Sequence, residues 1–332
     1  NVPVVLVGDI QRGGVIASLV GTMAVIDPAD AKLVAATLIN KFQGDPSLFE
    51  DGLRLIAERT GVPCLGPVRW FERANRLPAE DSLALEQKRQ RGDGPFVIAV
   101  PRLPHIANFD DFDPLRAEPG IEVAMVRAGD PIPDCDLIIV PGTKATIADF
   151  EALQNEGWGI DIMAHHRRGK PVLGICGGYQ MLGQVIGDPL GIEGPPRTID
   201  GLGLLRIDTK LGETKQLRLE TARHNDTGEA ISGYHIHMGE TYGEDCDSPF
   251  ATVDGELEGA TSRDGLVMGT YLHGLFAADG FRRAFLARLG AKTTGEASYE
   301  HDIDTTLQML AWHLETYLDL DALLALAREP GA

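Results

Sequence analysis

Cys176 stands where an apolar run stops, in Pro171-Val-Leu-Gly-Ile-Cys-Gly-Gly-Tyr-Gln-Met-Leu-Gly183. The run predicts a short buried strand, followed by a helix over 179–186. A cysteine on such a corner is pushed clear of the sheet in the manner of a nucleophile elbow. The N–H groups at the start of the helix favour its thiolate, and Gly177 and Gly178 leave room for a substrate. The competing reading, a buried structural cysteine, is disfavoured beside two glycines at a strand end. A thiolate needs a base. His273 is the best candidate, because Leu266-Val-Met-Gly-Thr-Tyr-Leu-His-Gly-Leu-Phe276 is a second apolar strand ending at a polar residue before a glycine. Two strands delivering Cys176 and His273 at their carboxyl ends obey the rule for ligand sites in open α/β sheets. The rivals, His235 and His237, share one face of a strand as metal ligands often do. No further ligand lies at a helpful interval, which disfavours zinc.

The elements that must position these groups need more than one ordinary domain, so 332 residues predict two. Lys plus Arg number 30 against 49 Asp plus Glu, a net charge of −19. That surface disfavours nucleic acid and anionic membranes and requires a local basic patch for any anionic substrate. Cysteines 64, 135, 176 and 246 show no paired spacing, which fits a reducing, cytoplasmic setting. No apolar run reaches membrane-span length. Strands at 2–8, 33–40 and 62–68 alternate with helices at 14–26 and 47–60, half of a parallel sheet with an edge and a face uncovered. Either polypeptide ahead of Asn1 or a partner is expected to complete it, and the first is favoured. The predicted organisation is a first domain over 1–78, a charged, glycine-bearing linker over 79–95, a second α/β domain over 96–290 and a helical tail over 291–332. The second domain is read as strands at 96–100, 121–126, 137–140 and 172–175, one helix over 146–168, antiparallel strands after Leu202 and a helix over 280–289. The tail carries Leu307, Leu310, Leu314 and Leu318 at helical spacing and reads as a docking helix, with Trp312 and His313 as packing residues.

Val4-Val-Leu-Val-Gly-Asp9 ends a strand in an aspartate, a place where P-loop proteins hold Mg²⁺, although such residues also cap the following helix. Ile10-Gln-Arg-Gly-Gly14 offers N–H donors to an anion, and Asn40-Lys41 at the next strand end suits a nucleotide base. No G-x4-G-K-[ST] occurs in the 332 residues, so triphosphate binding does not follow from this chain by itself.

Gly174-Ile-Cys-Gly-Gly-Tyr-Gln180 resembles the nucleophile motif of class I glutamine amidotransferases. The resemblance implies a flavodoxin-like open sheet and hydrolysis of glutamine through a Cys176 thioester, with release of ammonia. Tyr271-Leu-His-Gly-Leu-Phe276 resembles the histidine segment of the corrinoid amidotransferases. Many relatives carry a glutamate two residues after that histidine; Leu275 stands there instead, so a Cys176–His273 dyad is expected, oriented by a group that sequence does not identify. By the same resemblance the N–H groups of Gly142, in Val140-Pro-Gly-Thr-Lys144, and of Gly177 form the oxyanion hole, and Gln180 contacts glutamine. Gly233-Tyr-His-Ile-His-Met-Gly239 is similar to a family strand with His235 at the usual glutamate, giving His237 a structural or substrate-lining role.

Gly8-Asp-Ile-Gln-Arg-Gly-Gly14, Ile39-Asn-Lys-Phe-Gln-Gly-Asp45, Pro104-His-Ile-Ala-Asn-Phe-Asp-Asp-Phe-Asp113 and Pro141-Gly-Thr-Lys-Ala-Thr146 all resemble the cobyric acid synthase family, which the chain matches from residue 1 to about 290. This implies a partial dethiobiotin-synthetase-like P-loop domain ahead of the amidotransferase domain, its phosphate loop lying before Asn1. ATP and Mg²⁺ are then co-substrates, with Asp9 at Mg²⁺ and Asn40 and Lys41 at the nucleotide. The acceptor is an anionic corrinoid, cobyrinic acid a,c-diamide or its adenosyl form, received by Arg12, Lys41 or Arg102. The nearest rivals are a cobyrinic acid a,c-diamide synthase and a lipid-linked cell-wall amidotransferase. A flavodoxin-like cysteine hydrolase would need neither the Asp9 nor the Asn40 segment, and a non-catalytic module would need neither Cys176 nor His273.

Overall fold

The computed structural model describes residues 2–78, 96–293 and 298–327; the linker expected at 79–95 lies outside them. The chain forms two compact units, Asn1–Leu77 with Asp302–Ala332, and Pro78–His301.

In the first unit, strands Val4–Asp9, Val34–Asn40 and Cys64–Leu65 make a parallel sheet in that order. Parallel neighbours need crossover segments, here helices Val15–Val25 and Glu50–Thr60. The second helix begins with Glu50 and Asp51 and ends at Gly61, whose φ of 76° lets its N–H close onto Ala57. Val15, Leu19, Ile39, Phe42 and Ile56 form a small core. The register sets Asp9 opposite Asn40. Helix Tyr299–Tyr317 turns His313 inward to donate to the Arg69 carbonyl (2.8 Å) and to meet the Phe71 ring. Trp312 does not pack as its sequence context suggested: it is 69% exposed.

The second unit holds a six-stranded sheet in the order Ala260–Thr261, Val267–Thr270, Val172–Ile175, Leu137–Val140, Phe96–Pro101, Ile121–Val126. Only the first strand runs antiparallel to its neighbour. Leu137–Val140 and Val172–Ile175 are buried at every position, which is why they read as unbroken apolar runs. The single helix expected over 146–168 is two, Thr146–Asn155 and Trp158–Arg167, broken where Gly157 turns left-handed at φ 79°. The helix expected over 179–186 is shorter and earlier, Gly177–Met181. The backbone after it is claimed by a sheet: Val185–Asp188 pairs with the long strand Ile207–His224.

That strand belongs to a second, largely antiparallel sheet with Ala230–Gly243, Ala251–Val253, Glu256–Glu258 and Leu272–His273. Here the sequence reading of one strand running into His273 needs correction. Val267–Thr270 lies beside the nucleophile strand, with Thr270 opposite Ile175. At Tyr271 the chain changes sheets, and His273 pairs with Tyr234. Among the described residues no helix is long and apolar enough to cross a membrane.

Candidate active site

Cys176 has φ 52° and ψ −111°, the strained corner of an elbow between strand Val172–Ile175 and helix Gly177–Met181. Its flanking glycines are required by contact. A Cβ on Gly178 would lie 2.0 Å from the Val140 oxygen, and one on Gly177 would lie 2.5 Å from Thr143 Cγ2. The corner therefore packs against the loop after Leu137–Val140, the neighbouring strand.

His273 is fully buried, and its Nδ1 lies 2.7 Å from Asp111 Oδ2. The other carboxylate oxygen accepts the Gly274 N–H at 2.6 Å. Tyr234 stacks on the ring at 5.5 Å and 22°. With Nδ1 donating to Asp111, Nε2 is left for the thiol, and His273 is hydrogen-bonded to Cys176. Burial works against an imidazolium here. The Asp111 charge and hydrogen bond, helped by Cys176, overcome it and raise His273 to about 10. Asp110 next door is pushed up, by burial first and then by Asp111.

Asp111 is the orienting group that sequence reasoning missed. It sits on the turn Phe109–Phe112, 162 residues from His273, and is 2% exposed. The available signal was an acidic pair enclosed by two phenylalanines, an environment in which a carboxylate must find a partner.

Gly142 abuts the dyad: a Cβ there would lie 2.8 Å from His273 Cε1 and 3.6 Å from Cys176 Cβ. Its carbonyl is turned away to accept the Ala107 N–H. Among the described residues, neither the Gly142 nor the Gly177 N–H donates to a backbone carbonyl. Fully buried Asp149 fixes the next residue of this loop, accepting from Thr143 Oγ1 at 2.5 Å and from His105 through both its backbone N–H and Nδ1.

Gln180 is placed differently from a side chain lining an open site. It is 2% exposed; its Oε1 accepts from Thr146, and its Nε2 donates to the Tyr271 hydroxyl (3.1 Å) and the Met238 carbonyl (3.3 Å). His235 lies 2.7 Å from Glu220 and 3.7 Å from Glu258. The His237 side chain lies outside what the structure describes. Among the described residues no group of three His, Cys, Asp or Glu is arranged to hold a metal ion.

In the first unit Asp9 Oδ2 is paired with Lys41 Nζ at 2.7 Å, and Oδ1 accepts the Gln11 N–H. The Lys41 hydrogen bond, chiefly, lowers the Asp9 carboxyl below its ordinary range. Asn40 Oδ1 accepts the backbone N–H of Lys41, which is left-handed at φ 61°. Beside these groups is a cavity of about 260 Å³ whose lining includes Gly8, Asp9, Arg12, Gly13, Ser18 and Thr22.

A family of CobB/CobQ-like glutamine amidotransferase domains matches residues 97–281. A cobyric acid synthase from Cereibacter sphaeroides is 55% identical over 329 residues, which is 99% of this chain and 68% of that protein. One from Methylorubrum populi is 54% identical over 331 residues, again 99% and 68%. One from Rhizorhabdus wittichii is 52% identical over 333 residues, covering 100% of this chain and 68% of its own. Among solved structures, PurLQS from Thermotoga maritima is similar at 20% identity and a TM-score of 0.45, over 58% of this chain and 97% of its own. The elbow cysteine and its buried histidine thus lie inside a matched amidotransferase domain, and the chain belongs to the cobyric acid synthase family, glutamine-hydrolysing amidoligases of cobalamin biosynthesis.

Proposed function

We propose that Cys176, His273 and Asp111 hydrolyse glutamine and that the ammonia amidates side-chain carboxylates of a corrinoid, cobyrinic acid a,c-diamide or its adenosyl form. The observation that carries the glutaminase reading is the buried connection from Asp111 through His273 to a cysteine on a strained corner. Cys176 Sγ attacks the side-chain carbonyl carbon of glutamine, and the carbonyl oxygen takes the negative charge. The N–H groups of Gly142 and Gly177 receive that oxyanion; loss of one such donor costs about 3 kcal/mol of transition-state stabilisation. The His273 imidazolium gives its Nε2 proton to the departing nitrogen, ammonia leaves and a thioester remains. Neutral His273 then takes a proton from water, whose oxygen attacks the thioester, and glutamate departs from a regenerated thiolate. Gln180 bears on glutamine by direct contact if it exchanges one of its protein partners, and otherwise by holding Thr146 and Tyr271 in place.

For the acceptor half, our reading is a partial dethiobiotin-synthetase-like P-loop domain over 1–78. An aspartate, an asparagine and a lysine at adjacent parallel strand ends are donor types suited to a nucleotide. They fit Mg²⁺ less well, since Asp9 is ion-paired and the described residues assemble no metal site. ATP would supply activation of a corrin carboxylate; Asp9, Asn40 and Lys41 would line its site, and Arg12 would meet anionic groups. No disulfide joins the cysteines at 64, 135, 176 and 246, which fits a reducing cytoplasm.

The test is glutamate release by the full-length protein and by Cys176→Ser, with a diazo-ketone glutamine analogue as covalent label. Turnover lost in the variant and label on Cys176 are expected; label elsewhere overturns the assignment. Asp9→Ala should abolish ATP-dependent corrinoid amidation and spare glutamine hydrolysis. If amidation survives, the nucleotide assignment fails.

A further inference from the structure

The turn that supplies Asp111 supplies a second group to the same imidazole. Asn108 adopts φ 50° and ψ 43°, a left-handed conformation uncommon outside glycine, and its carbonyl accepts the Asp111 N–H at 3.0 Å. Its side-chain Nδ2 lies 3.3 Å from Nδ1 and 3.1 Å from Nε2 of His273. In-plane hydrogen bonds to the two ring nitrogens diverge, so one atom this close to both lies off those directions. The Nδ1 direction is taken by Asp111 and the Nε2 interaction by Cys176. The amide is therefore an additional contact on the ring, and only one of its ends suits a given charge state.

An amide N–H has no acceptor on an imidazolium, because both ring nitrogens carry protons; a carbonyl oxygen is attracted to it. The two ends of an asparagine amide are alike in shape, and a half-turn about the last side-chain bond exchanges them. Among the described residues no other hydrogen-bond partner fixes the far end of the Asn108 amide. We propose that Asn108 is a positioning residue that presents its side-chain oxygen to His273 and holds the ring in the charged form that protonates the departing ammonia. This rests on the glutaminase reading of Cys176 and His273 and deepens it. The other titratable groups facing the ring are Asp111, Asp110, Cys176 and Tyr234.

The experiment is a ¹⁵N NMR titration of the histidine side chains in the full-length protein, with the His273 resonance assigned by its loss in His273→Gln. Asn108→Gly suits a left-handed backbone and removes only the amide; Asn108→Asp keeps the shape and makes the near oxygen anionic. Relative to wild type, the His273 titration should fall by about one pH unit in Asn108→Gly and rise in Asn108→Asp, with the basic limb of glutamine kcat/KM following each shift. A purely structural role would lower turnover at every pH and leave the titration unmoved. An unmoved titration in both variants, or a rise in Asn108→Gly, overturns the proposal. If the titrations shift as stated but wild type does not hydrolyse glutamine, the glutaminase reading fails and the contact stands.

Discussion

Asp111→Asn is the sharpest single perturbation of the site. One carboxylate oxygen accepts from His273 Nδ1 at 2.7 Å and the other from the Gly274 N–H at 2.6 Å, both in the interior. An asparagine of the same shape has one acceptor for these two donors. If its oxygen stays on Gly274, its NH₂ faces Nδ1 and drives the ring proton to Nε2 of a neutral imidazole, the wrong tautomer for a base. If its oxygen turns to Nδ1, the Gly274 N–H loses its partner. Either way the charge that opposes burial is gone. His273 stands at about 10 against an ordinary 6.5, a displacement equivalent to roughly 4–5 kcal/mol. Part of that rise belongs to Cys176, so we assign Asp111 roughly 3–4 kcal/mol, in line with removing one partner of a buried pair. The expected loss in glutamine kcat/KM at neutral pH is roughly 10²–10³-fold. Stability has the same origin. A histidine raised on folding contributes fully below its ordinary value of 6.5 and loses that contribution as pH rises through about 10. The difference in melting temperature between wild type and Asp111→Asn should therefore be largest near pH 6 and narrow above pH ~10. Turnover within threefold of wild type, or a melting gap that does not depend on pH, would refute the reasoning.

Gly142→Ala places a methyl 2.8 Å from His273 Cε1, and glutamine turnover should fall at least ~10²-fold while the circular dichroism spectrum is retained. Iodoacetamide should modify Cys176 and spare Cys135, which is 2% exposed and whose thiol burial pushes up to about 11; peptide mapping reads this directly. The neighbour of Cys135, His165, is pushed down to about 4 by burial, so this second Cys–His pair holds no charge at neutral pH. Gln180→Leu strips partners from Thr146 and the Tyr271 hydroxyl and should lower stability by about 1–3 kcal/mol in urea unfolding. An unchanged midpoint would mean that those groups find other partners.

The sequence was most legible where chemistry and backbone are local. The elbow follows from an apolar run meeting Cys176, Gly177 and Gly178, and the close approaches of both glycines are the physical cause of that pattern. Strand Val34–Asn40 and helix Glu50–Thr60 could be read because their patterns and caps lie within a few residues. Legibility failed where a neighbour distant in sequence decides. Val267–Thr270 and Leu272–His273 are both buried, and a run buried throughout gives no sign that its two halves pair in different sheets. The helix after Cys176 was overestimated because the claim on residues 185–188 comes from a strand beginning at Ile207.

The same limit explains why the dyad looked unoriented. By local spacing the position two residues after His273 carries leucine, whose side chain cannot accept a hydrogen bond from Nδ1. The structure answers from the segment 104–113, which in sequence stood out only as a family signature. Its backbone is stitched to the loop that carries Gly142, Ala107 to the Gly142 carbonyl and Lys144 to the His105 carbonyl. Its side chains Asn108 and Asp111 both meet His273. One loop therefore sets the distance between the base and the proposed oxyanion donors. A displacement of that loop would degrade proton transfer and oxyanion binding together, so substitutions within it should act non-additively with Gly142→Ala. The double variant Asp111→Asn with Gly142→Ala should lose little more than the worse single variant. Full multiplicative loss would show that the two act independently and that the loop is not their common support.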